Sequence, residues 1–441
     1  MILHNATLLT SWDSEPVVEG ALVAIEGRTI VDFGKMGKLI DKYDDPETLD
    51  LGGRVVMPGL VNAHAHLYSS LARGMPRKGI PAQNFREILE RVWWRLDRSL
   101  TEEDVYMSAL VGLLDSVRAG VTTVVDHHSS PGACSGSLDA VWRAFAMVGV
   151  RGCLAYEVSD RDGEEAASAA IDENARFIER CRATRSEMMA ALFGLHASFT
   201  LSDKTLSRAV EVGRGLGAGF HVHVAEDRCD VEDAREKYGK TPVERLVDAG
   251  ALEGGSIAAH CVHVSDEDVE RLRRVKARVV HNPQSNAANA VGTADLMRLS
   301  EAEVPLGMGT DGFSPGVFEE LRAATLHQRI RASDPRLALD EAYRMTLHGN
   351  ADLATSLFGS PVGRIKPGAR ADLVVLNYRP ATPLDRDNVV GHVSFGVSRA
   401  AVDLVIVNGK ILYRDGTFPG LDEERVRARA KERAAALWER M

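Results

Sequence analysis

The sequence predicts an α/β protein: a (β/α)8 TIM barrel carrying a small β-sandwich domain formed by the N- and C-terminal segments. Three observations carry that expectation. In the middle of the chain, eight short β-rich runs alternate with stretches of 3.6-residue apolar spacing. Polar residues, histidines above all, gather where those runs end. The two ends of the chain share a different texture, short alternating strands broken by turns. Parallel neighbours need a crossover, normally a helix, and eight such units close a barrel.

In chain order, residues 1–53 read as hairpin-like β structure, with Ala21–Ile25, a turn at Glu26-Gly27-Arg28, and Thr29–Phe33. The barrel strands are expected at Arg54–Leu60, Thr122–Asp126, Arg151–Val158, Ala190–His196, Gly219–Val224, Ser256–His260, Ala277–His281 and Val304–Gly309. Helical spacing falls between them, as in Glu103–Arg118, Glu164–Cys181, Lys204–Gly213 and Asp266–Val275. Residues 54–362 are assigned to the barrel. That is longer than the roughly 250 residues typical of the fold, which leaves room for long loops. The longest, Leu67–Arg98, carries Tyr68, Arg73, Met75, Arg77, Phe85, Trp93 and Trp94 and is expected to lie over the barrel mouth. Its aromatic and arginine side chains suit either a flat ring or a subunit interface. Residues 363–420 return to β texture with Ala371–Leu376, Val402–Val407, an Asn408-Gly409 hairpin turn and Lys410–Tyr413. Segments 1–53 and 363–420 are expected to pair as one composite β-sandwich domain, and 421–441, rich in Arg, Glu and Ala, as a terminal helix.

Composition narrows the function. The chain has 441 residues, 45% of them hydrophobic, with 53 Lys and Arg against 63 Asp and Glu. A net charge of −10 argues against a nucleic-acid partner, which a basic stripe would attract. No apolar run reaches the 18 or so residues of a membrane span, and the N-terminus lacks the pattern of a signal peptide. The five cysteines, Cys134, Cys153, Cys181, Cys229 and Cys261, are scattered and form no C-x-x-C pair, as expected of a cytoplasmic protein.

Barrel strands should be nearly continuous apolar runs, and barrel active sites sit at their C-terminal tips. The tips here read Asn62-Ala63-His64-Ala65-His66, Asp126-His127-His128, Leu195-His196-Ala197, His221-Val222-His223-Val224-Ala225-Glu226, Ala259-His260-Cys261, His281-Asn282-Pro283 and Gly309-Thr310-Asp311-Gly312. Nine of the 14 histidines lie in them. His64 and His66 are two residues apart, so an extended strand aims both imidazoles at one spot. His223 adds a third imidazole, although His221 shares its face and alternation does not choose between them. Glu226 follows, and Asp311 offers an oxygen donor from the last strand. Three neutral imidazoles and one carboxylate suit zinc or iron better than magnesium or calcium, whose shells are oxygen-rich.

The order Pro-Gly-Leu-Val-Asn-Ala-His64-Ala-His66, His223-Val-Ala-Glu226, His260 and Gly-Thr-Asp311-Gly resembles the amidohydrolase superfamily, in its cytosine deaminase-like and chlorohydrolase-like branch. The stretch Leu60–Met75, with Asp126-His127-His128-Ser-Ser-Pro131, is similar to SsnA-type aminohydrolases. The resemblance implies one divalent metal ion per chain, zinc before iron, bound by His64, His66, His223 and Asp311. It implies Glu226 as proton shuttle and His260 beside the metal, with Asp311 taking a proton from the attacking water. His196 matches a substrate-touching histidine at the fourth strand, and His281, Asn282, Ser285 and Asn286 match a loop beside the pocket. Arg73 and His127 or His128 are further candidates for substrate recognition.

The expected activity is hydrolytic deamination of an aminated N-heterocycle such as a purine or pterin, releasing ammonia. A cyclic amidase with two metals bridged by a carboxylated lysine is the main enzyme alternative, but the fourth tip, Phe193-Gly194-Leu195-His196-Ala197, has no lysine. Loss of halide would use the same site. A non-catalytic relic is opposed by the completeness of the ligand set. The expected partners are a small heterocyclic substrate and further copies of the chain in a homo-oligomer, a dimer or larger, with no membrane.

Overall fold

The structure, a computed structural model, describes residues 1–10, 16–43, 47–76 and 79–441. Arg77 of the long loop lies outside the described residues. Among the described residues seventeen strands are found, β1 (Ile2–Leu9), β2 (Val17–Glu26), β3 (Thr29–Lys35), β4 (Thr48–Asp50), β5 (Val55–Pro58), β6 (Leu60–Ala65), β7 (Val121–His128), β8 (Arg151–Tyr156), β9 (Met189–Ala191), β10 (Phe193–Ala197), β11 (Phe220–Val224), β12 (Ile257–His260), β13 (Arg278–His281), β14 (Leu306–Met308), β15 (Leu373–Leu376), β16 (Val402–Val407) and β17 (Lys410–Arg414).

The barrel runs β6-β7-β8-β9 and β10-β11-β12-β13-β14, all parallel. β9 and β10 are one strand broken at Leu192, leaning on β8 with its first half and on β11 with its second. Two bridges close the ring. Val158 meets Leu195, with Val158 N–H donating to Gly194 O at 3.2 Å and His196 N–H to Val158 O at 2.9 Å. Ala65 meets Asp311, with the N–H groups of Thr310 and Asp311 both donating to His64 O, at 2.9 and 3.0 Å. Closure thus lays the first strand beside the last: Asn62 Nδ2 donates to Thr310 Oγ1, 248 residues away, at 2.8 Å.

The expected helices form with shifts of a few residues, as Glu102–Arg118, Glu164–Thr184, Asp203–Gly215 and Asp266–Val275. Two of them start at reciprocal caps, Thr101 with Asp104 and Ser265 with Asp268.

The chain ends combine into one eight-stranded sheet, β17-β16-β15-β5-β1-β2-β3, with β4 beside β1. Its apolar core draws on both ends of the chain, with Leu3, Val23, Ile25 and Ile30 against Leu373, Val375, Leu404 and Ile406. The Asn408-Gly409 turn has φ of 51° and 77°, the left-handed pair a two-residue hairpin needs. A Cβ on Gly409 would fall 1.9 Å from Gly27 O, so this turn also permits the two ends to touch.

One strand expectation is corrected. The sequence predicts a single barrel strand over Arg54–Leu60, but β5 pairs with β1 and β15 in the terminal sheet, and the barrel begins with β6. The apolar run is continuous through both, so hydrophobicity alone does not expose the change of sheet. The switch falls at Gly59, where a Cβ would meet the Thr122 side chain at 2.3 Å. The terminal helix, Glu423–Arg440, lies along Glu102–Arg118, with Arg433 reaching Asp104 at 2.7 Å and Arg440 pairing with the same carboxylate.

Candidate active site

The strand tips surround a cavity of about 520 Å³, within the range of small-molecule sites. Barrel closure brings His64 and His66 to Asp311. His66 Nε2 stands 3.1 Å from Asp311 Oδ1 and 3.1 Å from His223 Nε2, and His64 Nε2 is 3.7 Å from Asp311 Oδ1. His260 Nε2 comes within 4.0 Å of Asp311 Oδ2 and 3.5 Å of Glu226 Oε2. The arrangement separates His223 from His221. His223 lines the cavity, whereas His221 lies deeper, its Nε2 2.8 Å from His64 Nδ1 and its ring stacked on His127 at 4.3 Å.

Hydrogen bonds to carbonyl groups fix two tautomers. His66 Nδ1 donates to His127 O at 2.5 Å and His223 Nδ1 to His196 O at 2.8 Å, because a carbonyl only accepts. The two Nε2 atoms, left out of those bonds, therefore face one another across 3.1 Å with a carboxylate beside them, as two lone pairs when both rings are neutral. Such a face lacks a positive charge. Burial works against a charged His66, yet Asp311 and Glu157 outweigh it and push its pKa up to about 9, so a proton takes the place a cation would hold. Burial keeps His64 and His223 well below the usual imidazole range, in the neutral form that ligates metals. Among the described residues His64 Nε2 and His260 Nε2 are buried with no hydrogen-bond partner, and two groups could hold a metal ion, His64, His66, His127 and His223, and His64, His260 and Asp311. These donors fit a divalent ion.

The tips are held in uncommon backbone conformations. Ala225, His260 and Asp311 have φ of 47°, 75° and 57°, in the left-handed region. Strain of this kind persists where the surroundings enforce it, and here it re-aims side chains toward one centre. The short helix after β13, Pro283–Ala288, supplies braces: Asn286 Nδ2 lies 2.8 Å from His260 Nδ1, and Ser285 Oγ donates to Asp311 Oδ2 at 2.5 Å. Asn289 donates to Glu226 Oε1 at 3.4 Å. Burial, then the Asp311 charge, holds the Glu226 carboxyl well above its ordinary pKa, which keeps a proton on it.

The remaining expected residues divide. His196 lines the cavity, its Nδ1 2.8 Å from Thr200 Oγ1. Arg73 lies on the cavity rim, exposed and paired with Asp115 at 2.7 Å. His128 is buried behind the wall, with Nε2 2.9 Å from Ser130 Oγ and its ring between Tyr68 and Tyr156. Asn282 is also buried behind the wall, donating to Val280 O at 3.2 Å, and His281 is wholly buried there. Of the long loop, Tyr68, Phe85, Trp93 and Trp94 line the cavity. Sequence reasoning missed Glu157 and Arg161, which also line it. The signal was present: a glutamate follows the apolar run of β8, at a tip with no histidine to draw notice.

An eight-stranded barrel with imidazole and carboxylate donors at its mouth defines the class of metal-dependent barrel hydrolases. Residues 55–412 match the model of the Amidohydrolase family, and the chain belongs to that family. It is a hydrolase of carbon–nitrogen bonds other than peptide bonds. It is 33% identical to a 5-methylthioadenosine/S-adenosylhomocysteine deaminase of Pelotomaculum thermopropionicum, over 99% of this chain and 98% of the relative. It is 31% identical to a 5′-deoxyadenosine deaminase of Methanosarcina mazei, again over 99% and 98%. Its fold is that of an adenosine deaminase from Xanthomonas campestris with bound zinc, at a TM-score of 0.88, 23% identity and coverage of 99% and 98%. Among the described residues no helix is long and apolar enough to cross a membrane.

Proposed function

We propose that this chain is a hydrolytic deaminase of an aminated N-heterocycle, working with one divalent ion, zinc before iron, held by His64, His66, His223 and Asp311. The observation that carries the reading is the pair of Nε2 atoms facing each other at 3.1 Å beside Asp311, with a protonated Glu226 3.5 Å from His260 Nε2. The names of the relatives support it, since they too remove ammonia from a nitrogen ring.

When bound, a divalent ion at these donors supplies a water acidified toward neutrality. Asp311 Oδ2, oriented by Ser285, is placed to take the proton that water gives up. His260, neutral because burial holds its pKa down to about 4, has its Nδ1 beside Asn286 and turns Nε2 toward Glu226 and Asp311. Glu226 gives its proton to the ring nitrogen and then carries one to the amine. In the net reaction the water oxygen joins the ring carbon, the exocyclic carbon–nitrogen bond breaks, and ammonia leaves with a ring N–H and C=O in its place.

Ammonia release from aminated purines, pyrimidines, pterins and triazines, with protein of measured metal content, tests the reading. Glu226→Gln is expected to keep its metal and lose turnover by roughly a hundred-fold or more. Normal turnover in that variant removes the proton shuttle. The working form is proposed to be a cytoplasmic homo-oligomer, since all five cysteines are free and Leu326, Ile330 and Phe395 expose apolar surface on two touching helices.

A further inference from the structure

One wall of the cavity is polar beyond the proposed metal ligands and Glu226, and it borders His66. Glu157, one residue beyond β8, has a side chain only 2% exposed, and its Oε1 has no hydrogen-bond partner among the described residues. That oxygen lies 3.6 Å from His66 Nδ1, which is already committed to the His127 carbonyl, and 3.5 Å from His127 Nδ1. Its other oxygen stands 4.0 Å from His196 Nε2. A buried carboxylate oxygen without a donor is costly, so this oxygen is suited to a donor that arrives with a ligand.

Arg161 lies in the following loop and lines the same cavity. Its Nη2 bonds Asp97 and Ser129, the latter at 2.8 Å, and its Nε bonds Asp162 at 3.2 Å. These pin the guanidinium 5.4 Å from the centre of the Trp94 ring and leave Nη1 as the corner with no acceptor among the described residues. Asp97 balances the charge, so Arg161 is a directed donor rather than a loose cation. His196, 6.2 Å from Trp94 between ring centres, completes the wall. Thr200 Oγ1 bonds Ala197 O at 3.1 Å and His196 Nδ1 at 2.8 Å. Both bonds form together only if His196 Nδ1 donates, which leaves Nε2 as an acceptor.

We propose that Glu157, Arg161 and His196 set specificity by reading a lactam edge, a ring N–H next to a C=O, on the side of the substrate away from the amine that leaves. The substrate class is an aminated N-heterocycle that also carries an oxo group. Arg161 Nη1 donates to the ring carbonyl, and Glu157 and His196 accept from ring N–H groups. An adenine ring lacks the carbonyl and turns ring lone pairs toward these acceptors. The inference rests on the deaminase reading above, and its test separates the two.

Zinc-loaded full-length protein is titrated by calorimetry with guanine, isoguanine, cytosine and pterin, and with adenosine and 5′-deoxyadenosine, while ammonia is assayed for each. The oxo-bearing rings are expected to bind more tightly and to release ammonia. Glu157→Gln and Arg161→Lys are expected to raise their Kd and KM roughly ten- to hundred-fold, with kcat less affected and zinc content and thermal midpoint unchanged. Tighter binding of the adenosine-type compounds, or wild-type affinity for oxo-rings in both variants, overturns the edge reading. Oxo-rings bound through these residues without ammonia from any compound would uphold the edge and remove the deaminase. Ammonia from the adenosine-type compounds alone would do the reverse.

Discussion

Asp311 illustrates how one side chain is committed to a centre. Its Oδ1 accepts from its neighbour Gly312 N–H at 2.7 Å and meets His66, while its Oδ2 takes the Ser285 hydroxyl. Burial alone would raise its pKa, but the hydrogen bond and charge of His66 hold it well below the carboxylate range, so it is anionic. Replacing it with Asn removes that charge and keeps the shape. Asp311→Asn and His66→Ala are each expected to lower bound zinc, measured by elemental analysis after dialysis, by at least the ten- to hundred-fold that lesser changes around metal ligands produce. Full occupancy in both would remove the ligand set. These residues were legible because strand alternation dictates that His64 and His66 share a face. The choice of His223 over His221 was not legible, since both point inward and only depth along the barrel separates them. Arg161 was hidden for another reason: its partners Asp97 and Ser129 come from distant segments, and no local spacing records them.

At the scale of elements, the junction of β8 with β10 positions Glu157 and His196 together. Val158 and Gly194 pair there, and a Cβ on Gly194 would fall 2.3 Å from Tyr156 O, a backbone atom that cannot step aside. Gly194→Ala is therefore expected to destabilise the fold by about 1–3 kcal/mol, the usual cost of overpacking, and to weaken substrate binding because Glu157 and His196 move apart. An unchanged denaturation midpoint would mean that the strands slide without penalty. The helix Val317–Ala332 supports the neighbouring loop through Glu320, which accepts from Gln284 N–H at 3.0 Å and Gln284 Nε2 at 2.9 Å. Burial pushes the Glu320 pKa up to about 8 against 4.5 for an ordinary glutamate, so the folded state binds its proton more tightly than the unfolded chain. The stability this contributes is complete below about pH 4.5 and is lost as pH rises through about 8. Thermal midpoints of wild type and Glu320→Gln from pH 5 to pH 9 are expected to decline more steeply in wild type, since Asp126, Glu157 and Asp230, all raised to about 7, remain in both. Alternation and caps made most elements readable in advance; the β5–β6 division was not, because a strand leaving one sheet for another keeps its apolar character throughout.

Across the whole molecule, barrel and terminal sheet are joined by a buried ion pair. Arg151, on β8, meets Asp372, just before β15, at 3.0 Å, and neither side chain has exposed surface. Arg151 also bonds Asp372 Oδ2 through Nε at 3.1 Å, and Asp372 Oδ1 accepts from Asn408 N–H at 2.6 Å, so the pair ties the barrel to the turn between β16 and β17. The Coulomb attraction of such a pair is largely offset by the desolvation of both charges, and its presence adds little net stability over an apolar pair of the same shape. Removing one partner is different, because the other charge stays buried and uncompensated. Asp372→Asn is expected to cost about 3 kcal/mol or more in equilibrium unfolding. Arg151→Met combined with Asp372→Leu is expected to recover part of that loss, limited by the Asn408 N–H left without its acceptor. If Asp372→Asn unfolds at the wild-type denaturant concentration, the pair has no part in keeping the two ends of the chain against the catalytic barrel, and that task falls to apolar contact and the surface pairs such as Arg370 with Glu187.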